Sequence, residues 1–251
     1  MGTATFRFYE ELNDFLRPDR RYREFDCRYA RAATTKHMIE ALGVPHTEVE
    51  VVLVNGVSVD FGHRLADGDR VAVYPRFEAL DVTPLLRVRE RPLREPRFIA
   101  DSHLGALARR LRLAGFDTRF DNGWPDDELV RLSLVEGRTV LSRDRELLKR
   151  RDLTHGCFVH AQQPDAQWRE VFERLDLHAG ARPFTRCLAC NAPLREVPKA
   201  EVEAELPPSV RERQQRFARC AGRARVYWEG SHWRRMRAKL NALLAARPGA
   251  A

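Results

Sequence analysis

Between residues 97 and 180 short apolar runs alternate with amphipathic stretches, and this alternation narrows the folds open to the chain more than any other feature. "RFIAD" and "RTVLS" read as strands, and "FDTRF" and "CFVHA" as two more. Between them, "SHLGALARRLRLAG" sets Leu104, Leu107, Ala108 and Leu111 on one helical face and turns Arg109, Arg110 and Arg112 towards the other, with Gly115 as its stop. "PDDELVRLSLVEG" opens on Pro125 and Asp126 and closes on Gly137, while "RDRELLKRR" and "DAQWREVFERLDL" are further helices. Strand and helix in turn, at this spacing, predict a parallel sheet with helices on both faces. The expected fold class is α/β, with this domain at 97–182, an N-terminal α+β domain at 1–90, a linker at 91–96 and a small module at 183–251.

Two of the strands run directly into a carboxylate. Asp101 follows Phe98-Ile99-Ala100, and Asp144 lies just beyond Val140-Leu141. Sites in open parallel sheets form beyond the C-terminal strand ends, and Asp126 and Asp127 open a helix in the same unit. Converging carboxylates repel unless a cation offsets them. Hard oxygen ligands suit Mg²⁺ or Mn²⁺, ions that serve phosphodiester hydrolysis. The competing reading is local, because an Asp in each of these places can cap the helix that follows it.

Residues 1–90 have a different pattern. "TATFRFY" alternates Ala4, Phe6 and Phe8, and Phe25, Cys27 and Tyr29 alternate likewise. "TTKHMIEALG" is a capped helix, "VEVVLVNGVSV" a hairpin turning on Asn55-Gly56, and "LADGDRVAVYP" a turn and a last strand. Two strands, a helix and further strands describe a β-grasp, ubiquitin-like module. It resembles the small sulfur-carrier proteins of cofactor synthesis. Those carriers need a free Gly-Gly end, whereas this chain continues, so a docking role towards a protein partner is expected instead. Pro84, Pro92 and Pro96 mark the linker.

The charge is unevenly placed. The net +8 lies entirely in residues 186–251, where 14 basic side chains face 6 acidic ones. A polyanion partner should therefore touch the C-terminal quarter. There "CLAC" sets Cys187 and Cys190 at zinc-knuckle spacing. "RVYWEGSHWRRMRAK" interleaves Tyr227, Trp228 and Trp233 with Arg225, Arg234, Arg235, Arg237 and Lys239, the combination that stacks unpaired bases and holds phosphates. The alternative is that the tryptophans are core of a small module. Cys27 and Cys157, each alone in a strand, read as core. No apolar run approaches the roughly 18 residues of a membrane span, and no signal peptide is read, so a cytoplasmic protein without a membrane partner is expected.

The runs "FIADSHLGALARRLRLAGFDTRFD" and "DDELVRLSLVEGRTVLSRDRELLKRR" resemble the Mut-seven C-terminal RNase family of the PIN-like nuclease group, and the resemblance extends over roughly residues 97–240. A ubiquitin-like N-terminal half is a known companion of that family. The resemblance implies a PIN-like fold and metal-dependent RNA cleavage, with Asp101, Asp127 and Asp144 as catalytic and Mg²⁺- or Mn²⁺-binding acids. Asp127 is preferred to Asp126 because the family's acid lies two residues before the Leu at 129. For the fourth acid of many PIN nucleases only Asp165 offers itself. Arg143 and Arg145 would flank the site and grip RNA phosphates, or else serve as solvated surface charge. The family also has a second cysteine pair before its "YW". Here Cys220 is present and Arg223 stands in place of the other cysteine, so zinc would need His232 as fourth ligand to Cys187, Cys190 and Cys220, or has been lost. Arg225, Trp228, Arg234 and Arg235 are the candidate RNA contacts of the module. The expectation is a metal-dependent ribonuclease, and the alternative a catalytically silent RNA-binding or adaptor protein of the same fold.

Overall fold

The computed structural model describes residues 1–30, 32–76, 83–89 and 95–246. They divide into two compact units, each built from two separate stretches of chain: residues 1–95 with 125–158, and residues 96–124 with 159–251. Pro92, and with it residues 91–94 of the expected linker, lie outside the described residues.

The chain begins with β1 (Gly2–Phe8), β2 (Phe25–Tyr29), α1 (Thr35–Ala41), β3 (Val49–Val54), β4 (Val57–Val59) and β5 (Arg70–Pro75). Their sheet order is β2-β1-β5-β3-β4, with β1 parallel to β5 and every other pair antiparallel, which is the β-grasp arrangement. The alternation seen in the sequence sends Ala4, Phe6 and Phe8 inward to meet Met38 and Ile39 of α1. Thr34 caps α1, its hydroxyl accepting from the His37 N–H at 3.2 Å. Asn55 and Gly56 both take positive φ, the geometry a two-residue hairpin turn needs to match strand twist. The sequence did not signal the 3₁₀ turns at Glu10–Phe15 and Pro18–Arg20. They bury Leu12 and Phe15, and the Asn13 amide stitches them by donating to the Phe8 and Glu10 carbonyls.

Next come β6 (Arg97–Ala100), α2 (Gly105–Leu113), β7 (Asp117–Arg119), α3 (Asp126–Glu136), β8 (Thr139–Ser142), α4 (Arg145–Leu148), β9 (Gly156–Phe158) and α5 (Pro164–Arg174). In the second unit β6 and β7 pair in parallel, and α2 packs on both strands and on α5. In the first unit β8 and β9 pair in parallel under α3 and α4. Phe98, Ile99, Ala100 and all of Thr139–Ser142 are buried, as expected where both faces of a parallel strand are covered. Gly137 ends α3 in the left-handed conformation. Gly115 ends α2 with φ +96°, where a Cβ would stand 2.0 Å from the Arg182 carbonyl oxygen, so no other residue fits there.

Two local expectations need correction. The helix read over "RDRELLKRR" is a single turn, α4, which closes at Lys149, whose N–H donates to the carbonyls of that turn. Arg112 does not face solvent with Arg109. It is 3% exposed, and its guanidinium donates to the carbonyls of Thr118, Leu188 and Ala189 at 2.8, 3.0 and 3.1 Å, tying α2 to the cysteine knuckle.

The first unit joins the β-grasp directly to residues 125–158. The Thr47 hydroxyl donates to the Leu148 carbonyl at 3.0 Å, His46 Nε2 lies 2.9 Å from the Leu153 carbonyl oxygen, and the Phe158 N–H donates to the Glu48 carboxylate. Phe15 meets Phe158 edge to face at 5.6 Å. At Gly156 a Cβ would come within 2.9 Å of the Thr47 hydroxyl and 2.6 Å of Leu148.

The C-terminal module follows with β10 (Leu194–Val197), α6 (Pro208–Arg213), β11 (Phe217–Cys220), β12 (Val226–Trp228) and α7 (Ser231–Ala245). The three strands form an antiparallel sheet over a core of Val197, Val202, Leu206 and Phe217. Asn191 fastens the module to β7: its carbonyl oxygen accepts from the Thr118 N–H, and its amide donates to Asp117 at 2.6 Å.

Candidate functional site

Asp101 stands at the C-terminal end of β6, as the sequence predicted. It is 7% exposed, and its carboxylate accepts from the His103 N–H at 2.9 Å, capping a 3₁₀ turn. Asp144 lies two residues past β8 and caps α4. Its carboxylate accepts from the N–H groups of Glu146 and Leu147 at 2.8 and 3.4 Å, while its own N–H donates to the Ser142 hydroxyl. Both strand-end acids are thus helix caps. A carboxylate has roughly four lone-pair sites, so capping fixes its direction and leaves capacity for a cation.

Asp127 is exposed on the first turn of α3, beside the equally exposed Asp126. Its partner is a residue the sequence did not single out. The Arg150 guanidinium bonds Asp127 at 2.5 Å and Asp152 at 3.0 Å. Arg150 holds the Asp152 carboxyl below its ordinary range, and the two acids, Asp152 foremost, hold Arg150 protonated more firmly. Asp165, the only candidate for a fourth acid, is bound by Arg110 at 2.5 Å and Lys239 at 2.8 Å. Lys239 and then Arg110 depress its pKa. Its charge is therefore already offset within the protein. The Arg145 guanidinium lies over the rings of Phe15 and Phe158 at 5.2 and 5.3 Å, inside the β-grasp contact. Arg143 is half-buried.

In the second unit Cys187, Cys190 and Cys220 come together, their sulfurs all within 4.8 Å of one another. His232 is not in that group and is exposed on the first turn of α7. Arg223, at the place of the missing cysteine, is exposed on the turn between β11 and β12. The neighbour that sequence reading missed is Tyr227, whose hydroxyl is 3.0 Å from the Cys187 sulfur. Burial pushes the Cys187 thiol up, but Tyr227 and the N–H groups of Cys190 and Ala189 outweigh it and bring its pKa down to about 7. Burial raises that of Cys190. Three soft donors, one readily ionised at neutral pH, suit a thiophilic ion such as Zn²⁺. No period or motif announces a tyrosine as a thiolate's partner, so only proximity reveals it.

The tryptophans are half-buried rather than core. Trp228 packs at the rim of the module core, and Trp233 rests on Phe184 with ring centroids 4.7 Å apart. Arg237 lies over Trp233 and Arg225 over Tyr227. Arg225, Arg234 and Arg235 are exposed.

The Mut7-C RNAse domain model matches residues 96–240, more than half of the sequence. The chain belongs to that family. The Mut7-C ubiquitin model matches residues 1–81, so the β-grasp observed here is the family's ubiquitin-like companion. Two solved structures of small archaeal modifier protein 1 from Haloferax volcanii are also similar. They are 18% and 19% identical, cover 31% of this chain and 100% and 99% of their own, and have a TM-score of 0.26. No curated protein matches the chain. Family membership assigns the central segment to the nucleases. Among the described residues, no helix is long and apolar enough to cross a membrane.

Proposed function

We propose that the protein is a metal-dependent ribonuclease whose catalytic acids are Asp101, Asp127 and Asp144. The observation that carries this reading is the RNAse-family match over 96–240, taken with carboxylates at the ends of two parallel strands. The donor set fits a hard divalent cation, since all three are carboxylates and two are oriented by backbone N–H groups. Bound Mg²⁺ or Mn²⁺ would supply a more acidic water and countercharge for the phosphate oxygens. The chain's own contribution is positional: the caps hold the Asp101 and Asp144 carboxylates in fixed directions, and Asp127, which is paired with Arg150, would be the third acid to hold the ion. Arg143 and the arginines of the C-terminal module supply phosphate contacts. Arg145, stacked on Phe15 and Phe158, serves the β-grasp contact first. Cys187, Cys190 and Cys220 would hold Zn²⁺ through three thiolates, with the fourth position filled from outside the cluster, and the protein acts in the cytoplasm on RNA.

The test is cleavage of labelled single-stranded RNA with Mn²⁺ or Mg²⁺, wild type against Asp144→Asn. Metal-dependent cleavage that falls at least about a hundredfold in the variant, with RNA still bound, supports the reading; such losses are typical where a charge-stabilising group is removed. Binding without cleavage across several substrates favours the second reading, an RNA-binding or adaptor protein. That reading draws on the local bonds of the acids, which are two caps and a pairing with Arg150.

A further inference from the structure

A groove of about 620 Å³ opens in the C-terminal module, lined by Phe184, Tyr227, Trp228 and Trp233 with Arg216 and Arg237 among its walls. Val197, Val202, Leu206 and Phe217 form the core, Trp228 packs only at its rim, and Trp233 is not part of it. The Trp228 ring is only half-buried. Beside it lies Gly230, whose φ of −81° any residue could adopt. A Cβ there would come within 3.1 Å of Trp228 Nε1, so glycine keeps the indole edge clear.

We propose that this groove receives an unpaired nucleobase of a single-stranded RNA; the inference rests on the RNA-binding reading above and deepens it. Charge selects the occupant. The segment from 186 onward carries the chain's whole excess of +8, which calls for a polyanion. Yet Glu196 and Glu229 line the groove together with Arg186, Arg216 and Arg237, so its interior mixes charge with aromatic faces and is not a continuous cradle for anions. The occupant is therefore a polyanion that can insert an uncharged, flat, polar-edged group while its charges stay outside. A nucleobase on a phosphate backbone is such a molecule, and an acidic peptide is not. The base stacks on an indole ring, either Trp228 or, once Arg237 moves off its face, Trp233, and the exposed Arg216 and Arg237 take the flanking phosphates. A duplex keeps its bases paired and cannot enter.

The test uses the full chain carrying Asp144→Asn, so that bound RNA stays intact, and a short fluorescein-labelled RNA either single-stranded or as a blunt duplex. Expected are tighter binding of the single strand and quenching of tryptophan emission. Trp228→Ala or Trp233→Ala should weaken single-strand binding roughly 5- to 100-fold, the range of one base–aromatic stack, with duplex binding unchanged. Trp228→Phe should restore most of the loss, and Gly230→Ala, which spares the core, should reproduce part of it. Arg216→Ala should instead flatten the salt dependence by roughly 0.7 of a logarithmic slope unit, one phosphate contact. Equal affinity for single strand and duplex, undiminished binding by the tryptophan and Gly230 variants, or equal quenching by polyglutamate would overturn the proposal. Quenching and stacking losses in a wild-type protein that never cuts RNA would support the groove and remove the nuclease reading alone.

Discussion

At residue scale the central acids do two jobs that substitution can separate. Asn caps a helix as well as Asp does, but lacks the charge a cation needs. Asp144→Asn should therefore unfold in urea at nearly the wild-type midpoint while losing metal-dependent cleavage. Asp144→Ala should lose cleavage and also about 1 kcal/mol of stability, the worth of a cap. Arg112 gives the opposite profile. Its buried guanidinium satisfies the carbonyls of Thr118, Leu188 and Ala189. Arg112→Met strands those acceptors, and should cost about 2–4 kcal/mol in chemical denaturation. For the cysteine cluster, Co²⁺ should give the absorption of thiolate ligation in wild type and lose it in Cys220→Ser, with His232→Ala unchanged because His232 stands apart from the three sulfurs.

At the scale of elements, the one-turn α4 and the loop after it act as a junction. Arg145 on one side lies against Phe15 and Phe158, and Arg150 on the other holds Asp127 and Asp152. Gly156→Val puts a branched side chain where Thr47 and Leu148 already stand, and overpacking of this kind costs about 1–3 kcal/mol. A lowered thermal midpoint for the unit containing the β-grasp is the expected result. The contact of α7 with α2 and α5 runs through Asp165, bound by Lys239 and Arg110. Its carboxyl pKa is lowered in the folded protein, so the contribution is full above the ordinary Asp value of roughly 4 and disappears as pH falls through the lower folded value. Asp165→Asn should remove that acid sensitivity, visible in α7 amide exchange, at a cost below about 1 kcal/mol because the pairs are exposed.

At the scale of the whole molecule, the β-grasp belongs to the same compact unit as residues 125–158. The sequence suggested a docking module on a proline-marked linker, and the first surface it docks on is its own chain. Shortening the chain to residues 96–251 should expose Phe158 and leave the Leu148 and Leu153 carbonyls without Thr47 and His46. The shortened protein is expected to melt lower than the full chain, with hydrogen exchange faster in α4 and β9. Equal protection of those elements in both would mean that the contact contributes nothing to stability.

What local pattern controls, the sequence determined alone. Alternation in "TATFRFY", the Asn55-Gly56 turn, the Thr34 cap, the stops at Gly115 and Gly137 and the placing of acids at strand ends all depend on a few neighbouring residues, so they were legible. The side chains that matter most to the sites act across 23 to 76 residues of chain: Arg150 to Asp127, Tyr227 to Cys187, and Arg112 to Leu188. Nothing in the sequence distinguishes those arginines from their solvated neighbours, or that tyrosine from a stacking ring. The partnership of the β-grasp with residues 125–158 was hidden for the same reason. Such pairings are chosen by burial and by whichever acceptor the packed chain brings within hydrogen-bonding distance, and only the tertiary structure decides that.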